Sequence, residues 1–373
     1  MRAPLRICLV GTGAMAEYHG RRFSALEGVK VVATVDRDRV RAAAFAEKAG
    51  IPAIYDDVGQ LAASGAADAV AISSRDAGHA EAAIEALSKG LAVFCEKPMA
   101  RNVPEAEAMV RAASASALPA MVNFSKRNGG LLALSRDLIR SGEIGEVESA
   151  EFFYLQDWLH SGCWGDWRTT PRWQWRLDES QSSHGVLGDL ASHCVDAMLF
   201  IFGSAIPRAC VARRFEAPLS AAWRPEVGAE LSAEAELSPG AVAFAGAELS
   251  ARALLDCGEC DAALSVSFGA RSHIDAFGFR IRGSLGDIIV DTDLSRDELI
   301  VLTDEGAEPR RMRGRELPST YECFAQMAGG GDYVNYDDPS DFANGLRVVR
   351  TIEELADLAA HASALKVKAG ARR

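Results

Sequence analysis

Three sets of residues in this chain have the types and spacing of a chemical site. The first is Gly11-Thr12-Gly13-Ala14-Met15-Ala16, a G-x-G-x-x-A run. Gly11 permits a tight turn, Gly13 lets backbone approach a pyrophosphate, and Ala16 is small enough for helix and strand to pack closely. A helix starting there offers free N–H groups and its positive dipole end to phosphate. Thr12, Ala14 and Met15 share the turn and are expected to touch the nucleotide. Asp36 follows about 20 residues later, at the end of the next β-branched run, where the motif needs an acid. Its carboxylate would accept hydrogen bonds from a ribose diol and repel a 2′-phosphate, which favours NAD over NADP. Arg37 and Arg39 follow it and could offset part of that repulsion.

The second set is Glu96-Lys97-Pro98, directly after the apolar run 91–95. In a doubly wound sheet the carboxyl ends of the strands line the ligand crevice, so Lys97 would project beside a nicotinamide. Pro98 keeps Lys97 out of helical geometry. A surface lysine before a turn fits the same letters. The third set is Gly185-Val186-Leu187-Gly188-Asp189-Leu190-Ala191-Ser192-His193-Cys194-Val195-Asp196. On a helix Asp189, His193 and Asp196 stack on one face. An imidazole titrates near pH ~6.5, and neighbouring carboxylates tune it towards general-base work. The spacing equally describes a solvated ion pair stabilising by about 0.3–0.5 kcal/mol.

The elements around these sets predict two domains. Short apolar runs at 5–10, 29–35, 53–55, 69–72, 91–95 and 120–124 alternate with helical patterns at 15–25, 39–49, 58–64, 78–89 and 103–116. That alternation predicts an α/β Rossmann domain over 1–124, a doubly wound parallel sheet covered on both faces. Beyond it, strand-like runs recur without regular helices between them: 147–155, 209–215, 251–256, 262–268, 276–282, 287–290 and 299–303. Helical patterns lie at 131–140 and 186–202. These features predict an α+β domain over 125–373 with a largely antiparallel open sheet, closed by a C-terminal helix at about 341–368. The stretch 228–251, in which Gly-Ala-Glu-Leu-Ser-Ala occurs twice, reads as an inserted hairpin or loop.

Composition narrows the function classes. With 373 residues, 49% of them hydrophobic, the chain can bury large cores without disulfide staples. A net charge of −12 disfavours nucleic acid and anionic membranes. No run reaches the 18 or so apolar residues of a membrane span, and the start shows no secretory pattern. Eight scattered cysteines, several inside apolar runs, read as core residues of a reduced cytoplasmic protein. Cys257-Gly258-Glu259-Cys260 has the spacing of a metal or redox pair, but no second pair accompanies it and a hairpin turn suits it as well. No metal is expected.

The three sets, in this order, resemble the Gfo/Idh/MocA oxidoreductase family. The likeness extends to Gly142-Glu143-Ile144-Gly145-Glu146 and to the stretch 279–291. It implies an NAD(P)-dependent dehydrogenase acting on a sugar, inositol or related polyol, with Lys97, Asp189 and His193 as catalytic residues. His193 would take the hydroxyl proton, Lys97 would hydrogen-bond the same oxygen, and Asp189 would position substrate or tune the imidazole. The family pattern also implies cofactor contacts at Ser73, Ser74, His79 and Glu96, a substrate contact at Arg127, and a homodimer or homotetramer. The chain departs from that pattern in carrying Ser73-Ser74-Arg75 where Thr-Pro-Asn is usual, and His184 where glycine is. An NAD-dependent glycosidase with transient oxidation and a non-catalytic dinucleotide sensor are the alternatives; the intact Lys97, Asp189 and His193 set argues against the sensor. Five tryptophans at 158, 164, 167, 173 and 175 interleave with Arg168, Arg172 and Arg176. Either they form a substrate wall, with Trp167, Arg168 and Arg176 against the sugar, or they pack a core or a subunit interface.

Overall fold

A computed structural model describes residues 3–167, 171–178, 182–214, 247–303, 308–330 and 340–370. Strands β1 (Leu5–Val10), β2 (Val29–Val35), β3 (Ala53–Tyr55), β4 (Ala69–Ile72), β5 (Ala92–Cys95) and β6 (Ala120–Val122) form one sheet. Its order is β3-β2-β1-β4-β5-β6 and every neighbouring pair is parallel. Helices α1 (Ala14–Ser24), α2 (Arg39–Ala49), α3 (Val58–Ser64), α4 (His79–Ser88) and α5 (Val103–Ser116) alternate with the strands. All residues of β4 and β5 are buried, as helices on both faces require. Local chemistry sets the helix limits. Asp38, Asp57 and Asn102 accept N–H bonds at the starts of α2, α3 and α5, and α2 and α3 stop at Gly50 and Gly65 in left-handed conformation. The strand order reverses between β1 and β4, and the ligand crevice of such a sheet lies outside their carboxyl ends.

The second compact unit covers 131–315 and 351–373. After α6 (Leu131–Arg140), β7 (Val147–Leu155), α7 (Trp158–Ser161), α8 (Pro171–Gln174) and α9 (Ser192–Phe202) come β8 (Ile206–Arg214), β9 (Glu248–Asp256), β10 (Asp261–Ser267), β11 (Ala276–Gly283), β12 (Gly286–Asp291), β13 (Glu298–Thr303) and β14 (Arg310–Arg313). Their order is β14-β13-β12-β11-β7-β10-β9-β8, antiparallel except for the parallel pair β7–β10. Burial alternates along β10, β12 and β13, which have one face on the core. The largely apolar α9 is buried over almost its whole length. Cys257 and Cys260 close the β9–β10 hairpin, the Cys257 N–H donating to the Cys260 carbonyl at 2.9 Å. Burial pushes the two thiols up to about 12 and about 11, so neither is a ready thiolate.

The first unit covers 1–130 and 316–350, so its last pieces come from late in the chain. The chain leaves this unit after residue 130 rather than 124 and re-enters it at 316, where one continuous second domain was expected. The reason is α10 (Thr320–Ala328), which carries a reciprocal Ser319–Glu322 cap and lays Tyr321 and Phe324 on Phe23 and Phe94. The Ser340 hydroxyl then donates to the Val122 carbonyl before α11 (Phe342–Gly370) begins. Of the expected insertion, residues 228–246 lie outside the described residues, and 248–251 belong to β9. Among the described residues no helix is long and apolar enough to cross a membrane.

Candidate active site

The glycine-rich turn sits at the switch point. Gly11 has φ +94°, and a side chain there would meet the Ser74 nitrogen at 2.9 Å and the Ser73 carbonyl at 3.1 Å. Glycine is therefore required where β1 passes the end of β4. A Cβ on Gly13 would meet nothing within 4 Å, so that backbone stands open. Gly13 starts α1 in extended conformation without a side-chain cap, and Ala14 and Met15 follow it on the exposed side. This is the arrangement a pyrophosphate needs: open backbone, helix N–H groups and the positive dipole end. Ser73 seals the β1 side, its N–H donating to the Val10 carbonyl at 2.8 Å.

At the end of β2 the structure redistributes the expected charges. Asp36 is buried and accepts from the Thr12 hydroxyl at 2.6 Å, the Asp38 N–H at 2.9 Å and Arg41 Nη2 at 2.7 Å. Burial pushes its carboxyl up, but the bonds from Arg41 and Thr12 outweigh that and hold it below the usual carboxylate range. Arg37 reaches Glu81 at 2.8 Å and Arg39 reaches Asp56 at 2.6 Å instead. The guanidinium on Asp36 thus comes from Arg41, which sequence reasoning missed. Its signal was present: Asp38 caps α2, which turns the third helical residue back towards β2.

Behind Lys97 lies a buried polar network. Glu96 Oε1 accepts from Asn123 Nδ2 at 2.7 Å and lies 3.1 Å from His19 Nε2, a pairing distance without hydrogen-bond alignment. Glu96 Oε2 accepts from the Lys97 N–H at 3.2 Å. His19 Nδ1 is 2.8 Å from the Tyr321 hydroxyl, and the Thr320 hydroxyl donates to Asn123 Oδ1 at 2.8 Å. Burial alone would raise the Glu96 carboxyl; His19, Asn123 and Lys97 together bring it below its ordinary value. Glu96 is therefore an internal anchor for the Lys97 backbone.

His79 is likewise buried, with Nδ1 2.9 Å from the Pro98 carbonyl and Nε2 3.1 Å from the Ser74 carbonyl. Two acceptors facing both nitrogens favour the doubly protonated ring. Burial would lower its pKa, but Cys95, Asp76 and the Pro98 carbonyl raise it. His79 thus ties the turn after β4 to the turn after β5 and acts on the cofactor side only through them. Arg127 is buried at the end of a short 3₁₀ turn, Ser125–Arg127.

In the second unit the segment carrying Asp189 is a π-helical turn, Leu187–Ala191, running into α9. Such a turn holds one extra residue, which widens the helix where Asp189 stands. Asp189 is met by Arg176, whose Nε lies 3.1 Å from Oδ2. The Arg176 guanidinium packs on Trp173 and Trp175, 5.2 and 4.6 Å from their ring centres. Trp167 is 2% exposed and donates through Nε1 to the Leu159 carbonyl, in keeping with the packing alternative for this residue. Trp158 stacks on Trp164 at 5.8 Å in the same core. Arg168 lies outside the described residues. The buried His193 ring is 5.7 Å from that of Tyr154, whose hydroxyl donates to Asp275 Oδ1 at 2.7 Å. Burial and then Asp275 raise the Tyr154 pKa well above its ordinary value, so it stays a donor. Neither Tyr154 nor Asp275 was legible as a site residue, because their letters sit in ordinary strand patterns.

Gly188 makes the π turn possible. A Cβ there would overlap the Ser183 carbonyl. Gly188→Ala is expected to cost about 2–3 kcal/mol through this overpacking and to misplace Asp189. Thermal unfolding followed by circular dichroism measures it, and an unchanged midpoint would show that the turn accommodates the methyl.

Comparison with known proteins agrees with this geometry. Residues 5–124 match an oxidoreductase family described by its NAD-binding Rossmann fold, and 133–289 match the GFO/IDH/MocA C-terminal domain. Levoglucosan dehydrogenase of Pseudarthrobacter phenanthrenivorans is 27% identical over 322 residues, 83% of this chain and 79% of that protein. Glucose-6-phosphate 3-dehydrogenase of Bacillus subtilis is 26% identical over 200 residues, 53% of this chain and 54% of that one. A solved levoglucosan dehydrogenase in complex with NADH and levoglucosan superposes with TM-score 0.79 at 22% identity, covering 96% of this chain and 98% of that one. At that identity the superposition speaks for the fold.

Proposed function

We propose that this chain, which belongs to the Gfo/Idh/MocA oxidoreductase family and carries its NAD-binding Rossmann fold, oxidises a hydroxyl carbon of a sugar or cyclic polyol. The observation that carries the reading lies within the first unit. The pyrophosphate turn after β1 and the Glu96-Lys97 turn after β5 stand on the carboxyl edge of one parallel sheet, separated only by β4. A dinucleotide laid along that edge runs from Asp36 towards Lys97. The sugar dehydrogenases among the relatives support the substrate class.

In this reading bound NAD supplies the hydride acceptor, and the chain supplies geometry and proton handling. His193 takes the hydroxyl proton as general base. Lys97 donates a hydrogen bond to the same oxygen and stabilises its developing charge. Arg176 holds Asp189 in place, which orients the substrate or tunes the imidazole. Arg127 and Arg168 are assigned to substrate oxygens. The chain is further read as a homodimer or homotetramer, and as cytoplasmic in keeping with eight cysteines that form no disulfide.

Absorbance of reduced nicotinamide tests the reading directly. The chain is mixed with NAD or NADP and a panel of anhydrosugars, aldoses, sugar phosphates and inositols. Reduced cofactor should accumulate with at least one of them. Cofactor binding with no accumulation across the panel, together with hydrolysis of an aryl glycoside, would replace the dehydrogenase by a glycosidase with transient oxidation.

A further inference from the structure

The carboxylate expected to read the cofactor's ribose is already fully engaged by the protein. A carboxylate offers about four acceptor positions. Asp36 Oδ1 takes Arg41 Nη2 at 2.7 Å and the Asp38 N–H at 2.9 Å. Oδ2 takes the Thr12 hydroxyl at 2.6 Å and, at 3.3 Å, a shared Arg41 Nε–H whose shorter bond, 3.1 Å, goes to Thr12 Oγ1. A ribose diol cannot join this set without displacing a donor. Thr12 belongs to the glycine turn, and the Asp38 N–H is main chain at the cap of α2. The Arg41 side chain is 59% exposed and is the donor that can leave.

The opposite holds for a phosphate. Arg41 carries five N–H donors, and its Nε and Nη2 face Asp36. Its Nη1 has Asp38 Oδ2 no nearer than 3.9 Å, beyond hydrogen-bonding distance. The guanidinium therefore cancels the Asp36 charge and still presents an edge to a second anion. The other two arginines of this segment are committed elsewhere, Arg37 to Glu81 and Arg39 to Asp56.

We propose that Arg41 is the specificity-determining residue for the nucleotide: it receives the 2′-phosphate of NADP while still paired with Asp36, whereas NAD binds only when Arg41 releases Asp36. The chain then takes both cofactors, and Arg41 favours one while opposing the other. The inference rests on the dinucleotide site of the proposed dehydrogenase, but its test requires no sugar and no turnover.

Dissociation constants for NADH and NADPH are measured by quenching of tryptophan fluorescence on the whole chain, on Arg41→Ala and on Asp36→Asn. The unmodified chain should bind the two within about tenfold of each other. In Arg41→Ala the ratio of NADPH to NADH dissociation constants should rise about tenfold or more, the scale of a lost charge-assisted hydrogen bond. NADH should tighten as Asp36 is freed. Asp36→Asn should weaken NADH and spare NADPH. A ratio that rises less than tenfold in Arg41→Ala would overturn the proposal, as would an unmodified chain that prefers NADH by more than about a thousandfold. Failure of both nucleotides to bind the unmodified chain would remove the dinucleotide site itself and the proposal with it.

Discussion

Replacing Lys97 or His193 by alanine is expected to lower turnover by about a thousandfold, within the range for removal of a positioned general acid or base. The two variants should differ in a second measurement. Lys97 follows the anchored Glu96 at the end of β5, on the same sheet edge as the pyrophosphate turn. Its removal should alter NADH affinity as well as turnover. His193 belongs to α9 in the second unit, and its removal should leave NADH affinity unchanged within error. Stopped-flow single turnovers with saturating cofactor, alongside NADH titration, separate the two effects. A His193→Ala variant that keeps more than about a tenth of normal turnover would sink its role as base.

The second large effect concerns stability. His19→Ala should cost about 2–4 kcal/mol, because it opens a cavity against Phe94 and Tyr321 and removes the polar ring 3.1 Å from the buried Glu96 carboxylate. Glu96→Gln should cost less, since an amide still meets Asn123 and the Lys97 N–H and carries no charge to desolvate. Adding Glu96→Gln to His19→Ala should recover part of the loss, and chemical denaturation of all three variants gives the coupling. The acid limb carries a matching signature. The Glu96 carboxyl is held below its unfolded value. Its contribution is therefore complete above about pH 4.3 and is lost as pH falls through the folded value. Glu96→Gln should lack that part of the acid destabilisation. Parallel acid limbs in the two proteins would show that the network does not hold Glu96 ionised.

Much of the first unit was legible because its strands are short apolar runs separated by helices. The turn Gly11–Ala16 announces itself, since its small residues have no other reason to recur at that spacing. What the letters hid was pairing across distance. Arg37, Arg39 and Arg41 look interchangeable in sequence, and only the turn of α2 decides which of them meets Asp36. Asp189 and His193 sit four apart, yet the clash that forbids a side chain at Gly188 belongs to a π turn that no helical periodicity reveals. Trp167 has the composition of a sugar platform, but its indole N–H is spent on Leu159. Thr320 and Tyr321 lie nearly 200 residues from Asn123. No local pattern could link them, and so α10 went unforeseen along with the return of the chain.

That return has a consequence for synthesis. The chain leaves the ribosome from its amino end, and domains ordinarily fold as they emerge. Here the nucleotide-binding unit begins first and cannot be finished until residues 316–350 have been made. Until α10 arrives, Phe23 and Phe94 lack the aromatic cover of Tyr321 and Phe324, and His19 and Asn123 lack their hydroxyl partners. The nascent first unit must therefore wait, incomplete and with apolar surface open, through translation of almost the entire second unit. A ribosome-bound chain stalled before residue 316 would be a client for a holding chaperone, and one stalled well after residue 350 would not.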